Sequence, residues 1–519
     1  MRILLSIFLL IITFSFGQSQ TIDDAVRYSE IMPLGSARSV GVGSSFGAMG
    51  GDFSVISINP AGLGTYFKSE FVLTPGMGFT TADASLNGGN SESNSANGFG
   101  IDNLGYVSSS FQSTYDPEYE DKPTWIASNF AIGLTKSKSL KRTYAYSGTP
   151  QYGFLQRQYD LIGGRTVGDI EFDNGFTDVF ESLPAFDAGA IYPDGNGNLV
   201  TDYQELFDIE NSASTPLTQD VNTGQLVEES GYINELALAY AANYKNKLNI
   251  GISMGLPFVS FTQNKTLTED SSVKLSGQEI LTSTYVFGEN LTTTGLGVNF
   301  KAGLIYSIIP KVRLGAAVHS PTWYSLTDDF FNTAEYSNVD RQAGASFTGN
   351  TITTEDGNFS YTLASPWKFV GSIGTLLDLG KVKGFVNADV EYIDYGSSSF
   401  GLEGNNFGDI EAERELNEAV ANSLGSGLNI RLGAEFAMSK FRVRGGYAIN
   451  HDPYMNGSNN ALSAGFGYRG DSFFFDMGYR LTSFDDVYIP YLASEEQLDP
   501  VVDITTNRGR LVTTFGFKF

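Results

Sequence analysis

The sequence predicts an all-β fold: a transmembrane antiparallel β-barrel of about fourteen strands, with an N-terminal hatch inside the lumen. Three observations predict it. Runs of about 10 to 14 residues alternate apolar and polar side chains, and the polar face carries full charges. The segments between these runs alternate short and long, as barrel turns and outer loops do. The chain closes on Leu511, Thr513, Phe515, Phe517 and Phe519, which share one face and end in an aromatic residue.

The N-terminus sets the address. Arg2 precedes an apolar stretch over residues 3–12 that only Ser6 interrupts, and Ser15-Phe16-Gly17 places small residues at a cleavage site. This predicts a secretory signal peptide over 1–17, too short to cross a bilayer, whose removal leaves Gln18 first. Residues 18–66 are then the hatch, and 67–519 the barrel with a large external loop at 148–230. No linker divides the chain. Cysteine is absent, which excludes a disulfide-stapled secreted fold. Closing a barrel in a membrane is another source of stability, because every backbone group is then paired. The formal net charge of −26 comes with no basic stripe, so no nucleic-acid partner is expected.

The strands read in twos. Leu296, Val298, Phe300, Ala302 and Leu304 alternate with Gly297, Asn299, Lys301 and Gly303. Leu428, Ile430, Leu432, Ala434 and Phe436 alternate with Asn429, Arg431, Gly433 and Glu435. Phe473, Phe475, Met477 and Tyr479 alternate with Phe474, Asp476, Gly478 and Arg480. A soluble sandwich or propeller would also alternate, but its strands are shorter. It also has no reason to alternate short linkers with long ones. Here Lys245-Asn246-Lys247, Ile309-Pro310-Lys311, Ser439-Lys440 and Gly470-Asp471 are short. Long ones are expected near 263–289, 327–357, 397–426 and 486–506.

Parity fixes the count. Fifteen candidate segments would put the chain ends on opposite sides, whereas single-chain bacterial barrels usually have even numbers. Reading 125–147 as one long strand, irregular around 136–139, restores about fourteen. The stretch 148–230 then becomes an outer loop with short helices, such as one at 176–183. The terminal Phe519 resembles the aromatic signal that outer-membrane assembly machinery reads on client barrels. That machinery and the lipid bilayer are therefore expected partners.

Residues 35–64 do not read as a strand. Gly35, Gly41, Gly43, Gly47, Gly50 and Gly51 are mixed with small apolar residues, which suits a compact irregular backbone in a restricted space. Pro60 lacks a donor and biases Asn59 away from the helical region, so Asn59-Pro60-Ala61-Gly62 makes a fixed turn. With the signal peptide, Ala48-Met49-Gly50-Gly51-Asp52 and the later Ser365-Pro366-Trp367 and Arg442-Val443-Arg444-Gly445-Gly446-Tyr447, this arrangement resembles the long-chain fatty-acid outer-membrane transporter family (FadL/TodX type). The resemblance implies a fourteen-stranded barrel with a hatch in a bacterial outer membrane. It also implies passive uptake of a hydrophobic small molecule, a long-chain fatty acid or an aromatic hydrocarbon. By the same resemblance, loop 148–230 captures the ligand, which passes a pocket beside Asn59, Pro60 and Ala61. It then leaves sideways where strand 125–147 is irregular.

Candidate site residues follow from the strand faces. Arg313, Asp389, Glu391, Arg431, Glu435, Arg442 and Arg444 point inward, as do Lys301, Asp476 and Arg480. Their spacing on successive strands allows cross-ladder pairs. They serve as a brace for wall and hatch, or as a path for an anionic head group. Loop 148–230 holds fifteen acidic residues against Arg157 and Arg165. Within it Asp194, Asn196, Asn198, Val200, Asp202 and Glu205 match calcium-loop spacing, but Leu199 stands where a glycine should turn the chain. The competing reading is a hairpin over 193–198. Gly43-Ser44-Ser45-Phe46-Gly47 matches a nucleophile-elbow pattern without its strand–turn–helix context. His319 and His451, the only histidines, lie near strand ends, so an enzyme is not expected. No cofactor motif appears. Two other functions remain on sequence grounds. One is an accessory subunit of an outer-membrane secretion or assembly complex, with protein partners; the other is a water-filled porin, which the hatch disfavours.

Overall fold

The structure, a computed structural model, describes residues 21–30, 34–111, 125–162, 164–168, 179–211, 217–404, 407–454 and 457–519. The signal peptide expected over 1–17 lies outside the described residues. Among the described residues fourteen antiparallel strands close into one ring. The first six are β1 (Glu70–Leu86), β2 (Glu92–Phe111), β3 (Trp125–Ser139, continuing as Arg142–Gly148), β4 (Leu217–Tyr244), β5 (Leu248–Leu275) and β6 (Gln278–Ile309). Three interrupted strands follow: β7 (Val312–His319 and Trp323–Asp340), β8 (Gly357–Ala364 and Lys368–Leu379) and β9 (Val382–Asp394 and Ser399–Leu402). The last five are β10 (Ser426–Met438), β11 (Phe441–His451), β12 (Ser458–Arg469), β13 (Phe473–Tyr488) and β14 (Val502–Lys518). Closure is between β1 and β14, in register from Glu70 opposite Lys518 to Leu86 opposite Val502.

Alternation decides which way each side chain points. Ile252, Leu296 and Leu462 on the outer face are 62%, 59% and 63% exposed, while Lys301, Arg431 and Asp476 are buried within. An apolar band of this extent is stable against lipid and not against water. The single-strand treatment of 125–147 agrees with the ladder. β3 slips register against β4 between Lys136 and Lys138, then breaks at Leu140 and Lys141 before resuming.

The loops expected at 263–289 and 327–357 are largely strand. β5 and β6 run 28 and 32 residues and meet at Ser276-Gly277, which hold φ of +51° and +82°. That is the twist-compatible geometry of a tight hairpin. At ~3.4 Å per residue these strands are far longer than the ~9–11 residues a crossing needs, so the sheet rises well beyond the membrane on one side of the barrel. Above the lipid both faces meet water or polar loops, so the hydrophobic alternation that marks a strand disappears while pairing continues. For the same reason β4 begins at Leu217, opposite Leu275, inside the stretch expected to be loop up to 230.

Four helical elements matter for the site. α1 (Ile22–Ser29) lies in the lumen, its start held by the Thr21 N–H donating to Asp24 at 3.0 Å. α2 (Ala37–Gly41) begins the hatch proper, and two 3₁₀ turns follow at Phe53–Ser57 and Pro60–Thr65. Outside, α3 (Phe154–Ile162) and α4 (Ser182–Asp187) pack on the tall sheet around Tyr285, Phe287 and Tyr336, and α5 (Asp202–Asn211) packs through Tyr203 and Leu206 near Val273, Ile280 and Leu281. Of the helix expected at 176–183, residues 176–178 lie outside the described residues; 179–181 form a turn, and the helix starts only at Ser182. The connection after β9 forms α6 (Phe407–Ser423), whose Val420 joins α1 residues Ala25 and Tyr28 in one apolar cluster with wall side chains.

Candidate functional site

The hatch is seated by backbone contacts that only glycine permits. Asn59 is fully buried and caps the 3₁₀ turn Pro60–Thr65, its Oδ1 accepting the Ala61 N–H at 3.2 Å. Its Nδ2 donates to the Gly47 carbonyl at 2.6 Å and to the wall carbonyl of Leu304 at 3.2 Å. Pro60 follows without an N–H that would otherwise need a partner. On the facing wall a Cβ at Gly303 would fall inside the Asn59 amide, and one at Gly251 inside the Pro60 backbone. Gly62 packs with a Cβ position 2.9 Å from Val55. On the hatch's other side the end of the Phe53 ring occupies the space a Cβ would need at Gly105 and Gly133 of β2 and β3.

Charges tie the hatch to the opposite wall. Glu435 of β10 accepts from Arg38 of α2 at 2.8 Å and from Arg444 of β11 at 2.6 Å. Arg444 passes on to Asp476 of β13 at 2.7 Å, and Asp476 takes Arg469 of β12 at 2.7 Å. The Arg38 guanidinium also lies 5.2 Å from the Phe46 ring centre and donates to the Gly51 carbonyl at 2.8 Å. A separate pair joins Glu391 to Arg431 at 2.7 Å, while Asp389 accepts the Gly47 N–H at 3.2 Å. Arg480 donates to Ser44 at 2.5 Å.

Two of the inward cations stand apart from these pairs. Arg442 donates to the carbonyls of Ser439 and Phe441 at its own turn, and half-buried Arg313 forms no ion pair among the described residues. Alternation fixes the face of a residue but not its depth, and both sit nearer the strand ends than the acids do. Arg38, Arg469 and Glu235 are the participants that sequence reasoning left out. Arg38 carries the clearest signal, a lone cation in a stretch otherwise small and apolar.

Above the hatch a cavity of about 60 Å³ lies between Ile58, Lys301, His319, Lys368 and Arg431 on one side and Thr135 and Ser137 on the other. Lys301 pairs with Glu235 at 2.7 Å, and Lys368 reaches the Ser29 carbonyl of α1 at 3.1 Å. His319 contacts the Ile58 carbonyl through Nε2 at 2.9 Å. Thr135 is also where the β2–β3 ladder stops. The two strands pair from Phe111 opposite Ala127 only to Asn103 opposite Thr135. Beyond that point β2 pairs with β1 alone, and the continuation of β3 pairs with β4 alone. Tyr144 and Tyr146 of that continuation pack instead over Ala82, Ala84 and Leu86 of β1. The opening is bridged by side chains: Lys136 reaches Asp102 at 3.4 Å and Lys141 reaches the Asn97 carbonyl at 2.6 Å. Phe99 and Ile101 flank it on the outer face, 75% and 51% exposed.

The residues matching calcium-loop spacing form a hairpin. Tyr192 and Pro193 pair with Leu199 and Val200, Gly197 turns at φ +85°, and Asp194 Oδ1 accepts the N–H groups of Asn196 and Asn198, both at 2.8 Å. Asp202 and Glu205 face elsewhere, both accepting the Tyr192 hydroxyl at 2.8 Å. Burial and these carboxylates push that hydroxyl well above the usual tyrosine range. Among the described residues no three acidic or histidine groups converge on one point. Calcium titrated into the purified protein is therefore expected to give no heat beyond dilution; a saturable exotherm lost in Asp194→Asn would overturn this. In the elbow-like segment Ser45 Oγ bonds the carbonyl of Asn387 at 3.1 Å and not a histidine.

No family model matches the chain, and neither does any curated protein. Among solved structures it is similar to the Pseudomonas putida toluene transporter TodX, at 11% identity over 94% of this chain and 99% of that one, with a TM-score of 0.47. The Ralstonia pickettii toluene transporter TbuX gives 15% identity over 94% and 99%, with a TM-score of 0.45. A Pseudomonas aeruginosa FadL homologue gives 11% over 95% and 100%, with a TM-score of 0.49.

Proposed function

We propose that this barrel is a passive channel of the bacterial outer membrane for hydrophobic small molecules, which leave sideways through the gap between β2 and β3. One observation carries the proposal: the cavity above the hatch extends to Thr135 and Ser137, where the β2–β3 ladder ends. The hatch fills the lumen below that point with packed apolar side chains and buried ion pairs, so a straight aqueous route is a poor path for a greasy ligand. A lateral route avoids desolvating those charges and delivers the ligand against Phe99 and Ile101. Lys301 and Arg431 on the cavity wall are paired with Glu235 and Glu391, which leaves Lys368 to meet the head group of a long-chain fatty acid, and aromatic hydrocarbons need only the apolar path.

The chain has no cysteine, so the gap can be locked selectively. With Asn97→Cys and Lys141→Cys joined by a short thiol cross-linker, uptake of oleate and toluene by intact cells is expected to fall to the level of a deletion strain. Each single-cysteine protein should keep transport after the same treatment. Undiminished uptake through the cross-linked barrel would exclude the lateral route, and undiminished uptake in the deletion strain would exclude transport itself.

A further inference from the structure

The tall sheet and its helices enclose a second, larger cavity that the uptake route does not use. It measures about 230 Å³ and lies outside the membrane, between the start of α3, the start of α5 and the inner faces of β4, β5 and β6. At ~30 Å³ per water it holds about eight waters, the room of one small ring with its substituents. Its lining is polar, which is the wrong chemistry for capturing a hydrocarbon.

The donor and acceptor pattern narrows the ligand. Among the described residues no lysine or arginine lines the cavity, so none of them offers an anion a counter-charge there. Two carboxylates do line it, Glu269 and Asp202, and both are buried. Their charge is already met. Glu269 accepts the N–H groups of Phe154 and Leu155 at 2.5 and 3.2 Å, at the positive end of α3, and the Thr223 hydroxyl at 3.3 Å. Asp202 accepts from Tyr192 and Asn338, each at 2.8 Å, and from the Tyr336 hydroxyl. With three donors each, they are weak partners for a further cation, yet Glu269 Oε1 and Asp202 Oδ1, which take one donor each, keep lone-pair capacity for a hydroxyl. Gln219, whose Nε2 donates to Ser271 at 2.7 Å, leaves its amide oxygen as an acceptor, and Tyr203 supplies a half-buried ring beside Thr201. Acceptors that need donors, amides that offer both and an aromatic face together match an uncharged polyhydroxylated ring.

We infer that the extracellular subdomain binds a neutral sugar unit in this cavity, independently of the route proposed for hydrophobic ligands. The source is either a free monosaccharide or the end of a surface glycan. The test uses the full-length protein in a detergent without a sugar head, such as an amine oxide. Saturation-transfer NMR is recorded with glucose, galactose, mannose and N-acetylglucosamine, and with deacylated oligosaccharide released from the cells' own surface. Transfer is expected from at least one probe, and the arm that gives it identifies the source. The signal should disappear in Gln219→Leu with Ser271→Ala, while the melting temperature stays that of the parent. No transfer from any probe would overturn the inference, as would transfer that survives in the variant. Binding of a diamine such as cadaverine in place of sugars would overturn it too, since the carboxylates would then be acting as counter-ions.

Discussion

Glu435→Leu is expected to lower the stability of the folded barrel by about 3–5 kcal/mol, because it leaves a buried guanidinium without its carboxylate. The residue holds Arg38 at 2.8 Å and Arg444 at 2.6 Å, and side-chain exposure is 15% and 0% for the two arginines. Arg444 retains Asp476, so the uncompensated charge falls mainly on Arg38, the cation of the hatch. Thermal unfolding followed by the loss of heat-resistant mobility on gels measures the effect. The double variant Arg38→Met with Glu435→Leu should recover much of the loss, since replacing a buried pair by apolar groups of similar size is often neutral. A single variant as stable as the parent would show that the pair is water-exposed in the membrane.

Gly303→Val should act on the hatch more than on the wall. β6 tolerates valine as a strand residue, and outward neighbours such as Leu304 are untouched. The added carbons fall where the Asn59 amide sits, so the turn at Asn59-Pro60 must move. Its displacement breaks the bonds from Asn59 to Gly47 and Leu304 at ~1 kcal/mol each, and forcing the side chain in costs a further ~1–3 kcal/mol. The barrel itself remains closed, because the β1–β14 seam is remote from this contact. Planar-bilayer recordings are expected to change from electrically silent to stepwise ion conduction. Silent membranes with well-folded Gly303→Val protein would mean that the hatch accommodates the side chain without leaving the lumen.

The barrel was legible because its signal is local and repeated. Leu428 to Phe436 alternate in sequence as they do in space, and β10 pairs with β9 residue by residue. The irregularity near residues 136–139 was also legible, from strand parity. The extramembrane strands were not, since Val221 is the single apolar residue in 218–225, and Asp220 and Asn222 hold their conformation through pairing with Ser272 and Asp270. The charge network was half legible. Face could be read from position parity for Arg431, Glu435, Arg444 and Asp476, but partner choice depends on depth and on the hatch.

What the sequence determined by itself is therefore the architecture: a closed, even-stranded sheet with an apolar outside, a charged inside and a glycine-rich segment ahead of it. Period-two alternation and turn chemistry act over a few residues and need no knowledge of the rest of the chain. The tertiary structure alone decided that Arg38 meets Glu435 across 397 residues, that β2 and β3 part at Asn103 and Thr135, and that a polar cavity opens under α3 and α5. Those features arise where separate elements meet, and their energies depend on distances between residues that no local pattern encodes.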